Sequence, residues 1–194
     1  MHAPRHSAKM PYWCGFATVA SRVIGEKMVV ELGHSWRHAE NEETEGRTWG
    51  SIGEFAVSPA ISGVRAMVFE SVGPVRHEVS VPFHDSQVRG AALLIQTGWD
   101  QRWGTDAYWE PGPFLGEHLI FRMVRSGVKV VGVDFPVIEQ SSETRLITTG
   151  KIPVVENLRG LASLPRVGFR FTVMPVESAS GAVCRVRAVA EIAG

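Results

Sequence analysis

The sequence has 194 residues, of which 44% are hydrophobic and 21% charged, and its formal net charge is zero at pH 7. This composition is typical of a globular chain with a core of its own, and no stretch approaches the roughly 20 apolar residues of a membrane span. The neutral balance gives no general attraction to nucleic acid or acidic lipid, so we expect neither as a partner. The two cysteines, Cys14 and Cys184, are too few for a disulfide framework and predict free thiols in a cytoplasmic protein.

The first half of the chain predicts a polar start followed by short strands. Residues 1–20 are interpreted as a flexible N-terminal arm, and 21–194 as one domain. The apolar runs at 28–32, 52–57, 66–72 and 75–81 predict strands, with Gly73-Pro74 as a turn between the last two. The acid-rich stretch between the first two runs predicts a solvated loop.

The second half predicts alternating strands and a helix. Residues 91–95 form a continuous apolar run, typical of a strand buried on both faces, and 98–113 carry the Gly, Pro and Asp of a long loop. Apolar residues from Leu115 to Val124 recur at helical spacing, and Gly127 is placed to end that helix. The apolar run at 128–133 then predicts a parallel partner for the strand at 91–95, which indicates an α/β domain. Later strands are predicted at 152–155, 169–174 and 186–192.

Four features follow one another from about residue 91 to the C-terminus. They are LIQTGWDQRWG at 94–104, GVKVVGVDFP at 127–136, IPVVENL at 152–158, and the pair Phe169-x-Phe171 with the later VRAVA at 186–190. Together, in this order, they resemble the cyclase superfamily that includes kynurenine formamidase. The resemblance implies a swivelling β/β/α fold with a central mixed sheet, assembled as a homodimer or homotetramer. It also implies hydrolysis or closure of small amide, lactam or ester-like bonds.

The metal-ligand motif of that family, H-x-G-T-H-x-D-x-P-x-H, is absent. Alternate residues of an extended strand point the same way, which lets such a motif hold zinc or manganese and activate water. In one register SGVRA at 62–66 stands at the motif and a deletion follows, so every ligand is lost. In the other, VPFH at 81–84 matches its end, with Pro74 and Glu78 at histidine positions and Ser80 at the aspartate. We favour the first register.

A second histidine of the family lies twelve residues before the glutamate of E-N-L, where this chain has Thr144. Glu156 is therefore the one ligand position that is kept, and one carboxylate does not make a metal site. We predict no resident metal or other cofactor, unless His34, His77 and His84 rebuild a zinc or manganese site. Glu156 could equally accept hydrogen bonds that shape its loop.

Two residues are candidates for acid–base chemistry, His84 and Glu156, because histidine and carboxylate side chains are the usual proton carriers. Four aromatic residues of the long loop are candidates to hold a flat small-molecule substrate. They are Trp99, Trp103, Trp109 and Phe114. The alternative for these aromatic residues is loop anchoring or subunit packing. Asp100 and Arg102 are expected to fix the same loop by hydrogen bonds, and Asp134 to have a structural role in the turn at 134–136 rather than to bind a ligand.

The leading hypothesis is an enzyme that closes, opens or dehydrates a small aromatic or cyclic carbonyl compound without the family's usual metal centre, in which positioning supplies much of the rate. The alternative is a non-catalytic protein that binds a related ligand or partner in the inherited pocket. A third hypothesis is a metal-dependent amide or lactam hydrolase of the arylformamidase type.

Overall fold

The computed structural model describes residues 21–24, 27–34, 61–74, 78–136, 152–175 and 186–193. These form one eight-stranded mixed sheet with the order β1-β2-β8-β7-β3-β4-β5-β6. The strands are β1 Ser21–Ile24, β2 Lys27–His34, β3 Val64–Glu70, β4 Ala92–Gln96, β5 Val130–Val133, β6 Val154–Val155, β7 Phe169–Pro175 and β8 Val186–Ala193. The helices are α1 Asp85–Val88 and α2 Glu117–Ser126. In the described ranges no helix has the length and apolarity needed to cross a bilayer.

The sheet has a parallel half and an antiparallel half. Strands β3, β4, β5 and β6 are parallel, whereas β1, β2, β8 and β7 pair antiparallel, and β7 joins the two halves by pairing with β3. The predicted crossover is confirmed, because α2 connects the parallel neighbours β4 and β5. The predicted α/β class with a mixed sheet is therefore confirmed.

Strand β4 is buried on both faces, as its unbroken apolar run predicts. Leu93 and Ile95 face a cluster that includes Leu119, Ile120 and Met123 of α2. The alternate residues, Ala92 and Leu94, face a second cluster built with inward residues of β2, β7 and β8. The antiparallel half thus contributes to the core on the face away from α2.

Helix α2 ends as its sequence predicts. Its apolar residues face the core, and Gly127 takes the left-handed conformation with φ 74° that a helix C-cap favours. Its start differs slightly, since buried Leu115 precedes the first helical residue, Glu117.

The strand predicted at 75–81 is wrong in its described part. Residues 75–77 lie outside the described ranges, and Glu78 forms only an isolated bridge with Phe114. The segment still alternates, with Val79, Val81 and Phe83 buried, but Pro82 has no N–H to donate to a ladder. The predicted arm 1–20 and the predicted strand at 52–57 also lie outside the described residues, so these two predictions stay open.

Candidate functional site

Polar residues follow three neighbouring parallel strands where each strand ends. Thr97 follows β4, Asp134 follows β5 and Glu156 follows β6. Parallel strands end at the same edge of a sheet, and this carboxyl edge is where ligands bind in open α/β sheets. The edge of β4, β5 and β6 is therefore the first place to look for chemistry.

Asp134 is completely buried and binds the start of the long loop after β4. Its carboxylate accepts hydrogen bonds from the Thr97 amide at 2.7 Å, the Thr97 hydroxyl at 2.6 Å and the Gly98 amide at 2.8 Å. Burial raises the pKa of Asp134 to about 6, although these three bonds favour the ionised form. Asp134 thus fixes the start of the loop after β4, whereas the sequence predicted a structural role in its own turn at 134–136.

Trp99 anchors the same loop from inside. Its side chain is fully buried, and its indole Nε1 donates to the Tyr108 carbonyl oxygen at 2.9 Å. The Arg102 guanidinium stacks over the ring at 4.2 Å from its centroid. In addition, the Asp100 carboxylate accepts a bond from the Gly160 amide at 2.9 Å, which joins the loop to the segment after β6. Asp100 therefore fixes the loop by a hydrogen bond, as expected, whereas Arg102 does so by stacking on Trp99.

Tyr108 links the loop to the residue after Glu156. Its buried hydroxyl donates to Asn157 Oδ1 at 2.7 Å and lies 3.5 Å from the Asp134 carbonyl oxygen. Burial raises the pKa of Tyr108 far above its usual value, and the negative charge of Glu156 adds to that rise.

Two tryptophan rings, Trp103 and Trp109, pack against Tyr108, and the three rings together are called the aromatic group below. Trp103 lies edge-on at 4.9 Å between ring centroids, and Trp109 lies edge-on at 5.1 Å. The Arg159 guanidinium stacks over Trp103 at 5.1 Å. Trp103 is half-buried and Trp109 is 39% exposed, so these two rings offer apolar surface close to Tyr108, whose hydroxyl bonds to the residue after Glu156.

The four aromatic residues predicted to bind substrate are therefore not equivalent. Trp103 and Trp109 lie together beside Tyr108. Trp99 is fully buried, which favours the loop-anchoring alternative for this residue. Phe114 is 43% exposed but pairs with Glu78, and no contact within the described ranges joins it to the other three rings.

His84 lies in a different environment from Glu156. It is exposed and precedes α1, where its backbone amide donates to Gln87 Oε1 at 2.9 Å. The neighbouring Asp85 pairs with Arg122 at 3.2 Å and Arg125 at 3.4 Å, which ties α1 to α2. No contact in the part of the chain that the structure describes joins His84 to Glu156.

Of the other two candidate metal ligands, the structure describes the backbone of His34, which lies away from this edge. His34 ends β2, where its backbone pairs with Arg187 of β8, and β8 and β7 separate β2 from β3 in the sheet. His77 lies outside the described residues. Whether these histidines share a metal ion with His84 stays a prediction.

The described residues do not fit the metal centre that the family resemblance implies. Among them, no three His, Cys, Asp or Glu side chains come close enough to hold an ion. The buried carboxylate next to Glu156's strand, Asp134, already accepts three hydrogen bonds and so offers little capacity for a cation. No chemical step is therefore derived through a metal.

Two clefts lie elsewhere on the surface. One of about 610 Å³ lies along the end of β3, with Met67, Phe69, Pro82 and Val167 among its lining residues and the Arg166–Glu70 ion pair at 2.6 Å. The other, of about 310 Å³, lies beside α2 and is lined in part by Glu78, Ser80, His118 and Arg122. Neither cleft is lined by Glu156 or the tryptophans.

Sequence reasoning did not find Tyr108 and Asn157, which complete the buried network. Tyr108 was one aromatic residue among several in the loop, and Asn157 was the middle letter of E-N-L. A usable signal was the type of residue, because asparagine in a turn after a buried strand often takes a left-handed conformation. The pairing of the two, which are 49 residues apart, needed the structure.

Comparison with known proteins confirms the resemblance to the cyclase superfamily. The Cyclase family model, described as "Putative cyclase", matches residues 75–140. An uncharacterized protein of Methanocaldococcus jannaschii, MJ0783, is 33% identical over 89 residues, which are 44% of this chain and 45% of that protein. The chain thus spans about half the length of the curated relative that it matches.

Solved structures share the fold at low sequence identity. The structure named "Potential Metal-Dependent Hydrolase With Cyclase Activity" superposes with a TM-score of 0.54 and 14% identity, over 70% of this chain and 68% of that one. Isatin hydrolase A from Ralstonia solanacearum gives a TM-score of 0.54 and 18% identity, over 76% and 66%. Isatin hydrolase A from Labrenzia aggregata gives 0.55 and 15%, over 74% and 66%. The expected fold class is therefore confirmed.

Proposed function

From its resemblance to the cyclase superfamily, which the matched segment and the shared fold support, we propose that this chain is an enzyme of the cyclase and hydrolase type. Its substrate is a small aromatic or cyclic carbonyl compound, and its reaction is ring closure, ring opening or dehydration. The observation that carries the proposal is the position of Glu156. This carboxylate follows a parallel strand, at the edge where α/β sheets bind ligands, and the next residue, Asn157, is hydrogen-bonded to Tyr108 of the aromatic loop.

In this proposal Glu156 moves the proton. A half-buried carboxylate can accept a proton from a carbon beside a carbonyl, from a ring nitrogen or from water, and can return it to the oxygen that leaves. Trp103 and Trp109 hold the ring of the substrate by stacking and apolar contact. His84 is given no step, because its exposed position on α1 is not connected to Glu156.

The rigid surroundings of Glu156 favour catalysis by positioning. The loop that carries Trp103 and Trp109 is bound at its start by Asp134, and it is anchored from within by Trp99 and Asp100. A ring-closing reaction gains most of its rate when its two ends are held in contact, and an ordered loop supplies that without a metal-bound hydroxide.

Isatin is the first probe, because three of the similar folds are isatin hydrolases and isatin is a flat cyclic amide beside a ketone. Ring opening is followed by the loss of isatin absorbance, and a panel of aromatic lactams and formamides extends the test. We expect Glu156→Gln to lower kcat/KM by about 100-fold or more, the usual contribution of a general acid–base group.

Glu117→Gln is the matched control for that substitution. Glu117 is an exposed glutamate in the first turn of α2, so the same change in charge should leave turnover as in the unsubstituted chain. Turnover that survives Glu156→Gln would refute the role given to Glu156.

We further propose that the reaction does not use the family's metal centre. Thr144 stands at the expected downstream histidine, and the described donors do not converge on an ion. The test is metal content by mass spectrometry on protein without a histidine tag, before and after chelation and after added zinc or manganese. Content far below one ion per chain, with no gain in turnover, is expected. Near-stoichiometric metal that chelation removes together with activity would contradict the proposal.

A non-catalytic binding role is the second candidate. Two observations favour it. The fold keeps the anchored aromatic loop, but the sequence lacks the metal-ligand motif of the family that it resembles. Saturable binding of the panel compounds without turnover, at substrate concentrations well above the dissociation constant, would establish this role and refute the enzyme.

A further inference from the structure

Asn157, the residue after Glu156, has an unusual backbone. Its φ is 60°, and it is the one non-glycine residue with positive φ in the described ranges. A left-handed conformation is unfavourable for most residues other than glycine, and asparagine tolerates it better than most because its short polar side chain can bond locally. Such a conformation persists when the surrounding contacts impose it.

The side chain of Asn157 shows what imposes it. The amide is 1% exposed, and its Oδ1 accepts the Tyr108 hydroxyl at 2.7 Å. The other neighbour of that hydroxyl, the Asp134 carbonyl oxygen, is 3.5 Å away, so the bond to Asn157 is clearly the stronger one. Tyr108 itself is held edge-on between Trp103 and Trp109.

The backbone on both sides of Glu156 is tied to β5. Before it, Val155 pairs with Gly132 in the sheet. After it, the Asn157 amide donates to the Phe135 carbonyl at 3.3 Å and the Leu158 amide to the Val133 carbonyl at 3.0 Å. The backbone of Glu156 therefore lies between two fixed points.

We propose that Asn157, held by the Tyr108 hydroxyl, is the positioning residue for Glu156. This inference rests on the proposed function, which gives Glu156 the proton transfer. The Tyr108–Asn157 bond holds the left-handed turn, and the turn holds Glu156 in one orientation at the carboxyl edge of the sheet. Neither Tyr108 nor Asn157 contacts the reacting atoms in this account.

Tyr108→Phe tests the bond with the smallest possible change. It removes one oxygen atom and no charge, because the raised pKa keeps the Tyr108 hydroxyl neutral at ordinary pH. Asn157→Gly is the second variant, since glycine adopts positive φ freely but lacks the amide. Ser163→Ala is the matched control, because it removes a 2.7 Å hydroxyl bond, to the Gly160 carbonyl, from the same segment.

The readout is the side-chain conformation of Glu156 in the full, isotope-labelled chain, measured through three-bond couplings across its χ1 angle. We expect one dominant rotamer in the unsubstituted chain and in Ser163→Ala. We expect rotamer averaging in Tyr108→Phe and Asn157→Gly, with folding confirmed by the dispersion of the remaining amide signals. A single rotamer that persists in both variants would overturn the inference.

This measurement separates the inference from the function on which it rests. If the Glu156 couplings are averaged in Tyr108→Phe and Asn157→Gly, but Glu156→Gln does not change turnover, the positioning role stands and the proposed function is refuted. If the couplings are unchanged in both variants, but turnover is lost in Glu156→Gln, the proposed function stands and the positioning role is refuted. Where turnover is found, Tyr108→Phe should lower kcat by roughly tenfold or more with little change in KM, because a misplaced group loses rate rather than binding.

Discussion

The two residues that sequence reasoning singled out for proton transfer lie in contrasting surroundings. Glu156 belongs to an edge where Asp134, Tyr108 and Asn157 are buried. Asp134 accepts hydrogen bonds from Thr97 and Gly98 at 2.6–2.8 Å, and Tyr108 donates to Asn157 at 2.7 Å. His84 is exposed and directly precedes α1. Its neighbour Asp85 pairs with Arg122, and these two side chains are 38% and 30% exposed.

The contrast separates two kinds of polar contact. Burying polar groups costs free energy unless every bond is made, so a buried network specifies one geometry and is sensitive to small changes. Exposed ion pairs are screened by water and salt, and many contribute little. A group that must be aimed at a substrate gains more from the first kind, and for this reason Glu156 carries the proposed chemistry.

The largest effect on the free energy of unfolding is expected from removing the buried carboxylate of Asp134. Asp134→Ala leaves the Thr97 and Gly98 amides without their acceptor, and we expect it to lower the free energy of unfolding by about 3–5 kcal/mol. Asp85→Ala is the matched change on the exposed side and should cost far less. Urea unfolding of both variants measures the difference, and equal losses would contradict the comparison.

The second prediction concerns pH. The pKa of Asp134 is raised from 3.8 to about 6, so the folded state holds this proton more tightly than the unfolded state. The resulting stabilisation, about 3 kcal/mol at most, is complete below pH 4 and is lost as the pH rises through 6. Carboxyl-carbon NMR should give a midpoint near 6, and a midpoint below 4 would contradict the burial argument. Asp134→Asn should remove this contribution from the pH dependence of unfolding.

The third prediction tests the packing of the loop. A side chain at Gly112 would place its Cβ 2.6 Å from the Trp99 ring, which cannot move aside because it is fully buried. Gly112→Ala should therefore destabilise the chain by about 1–3 kcal/mol and change the fluorescence of Trp99. At Gly104 of the same loop a Cβ meets no atom within 4 Å, so Gly104→Ala should cost about 1 kcal/mol, from its positive φ alone. The reverse order would refute the account of the loop.

The smallest effect is expected at His84. His84→Ala should change the free energy of unfolding by less than about 0.5 kcal/mol, because the side chain is exposed and its backbone bond to Gln87 remains. Turnover of any substrate found should also be unchanged. A loss of turnover as large as that of Glu156→Gln would return His84 to the active site.

Local patterns predicted the parallel half of the sheet well. The unbroken apolar run at 91–95, the helical spacing before Gly127 and the run at 128–133 each correspond to β4, α2 and β5. These elements were predictable because burial on two faces and a left-handed C-cap leave direct marks in the sequence. The loop-fixing hydrogen bond of Asp100 was also predicted correctly, whereas Arg102 fixes the loop by stacking on Trp99 rather than by the hydrogen bonds expected of it.

Long-range contacts were not predictable in the same way. Nothing in the sequence near Tyr108 indicates that its hydroxyl bonds to Asn157, and nothing near His84 indicates that it lies apart from Glu156. The strand predicted at 75–81 also failed in its described part, since alternation alone does not supply a neighbouring strand to pair with. Sequence reasoning therefore singled out Glu156, but it did not find the contact between Tyr108 and Asn157 that we propose positions it.

The most direct test of the account is to titrate the isotope-labelled chain with isatin and record which backbone amides shift. The account predicts that the largest shifts lie in the loop around Trp103 and Trp109 and at residues 156–159, and that Trp103→Ala weakens them. Shifts confined to the cleft along β3, or to His84 and α1, would place the site elsewhere and contradict the central claim that the chemistry lies at the carboxyl edge of β4, β5 and β6.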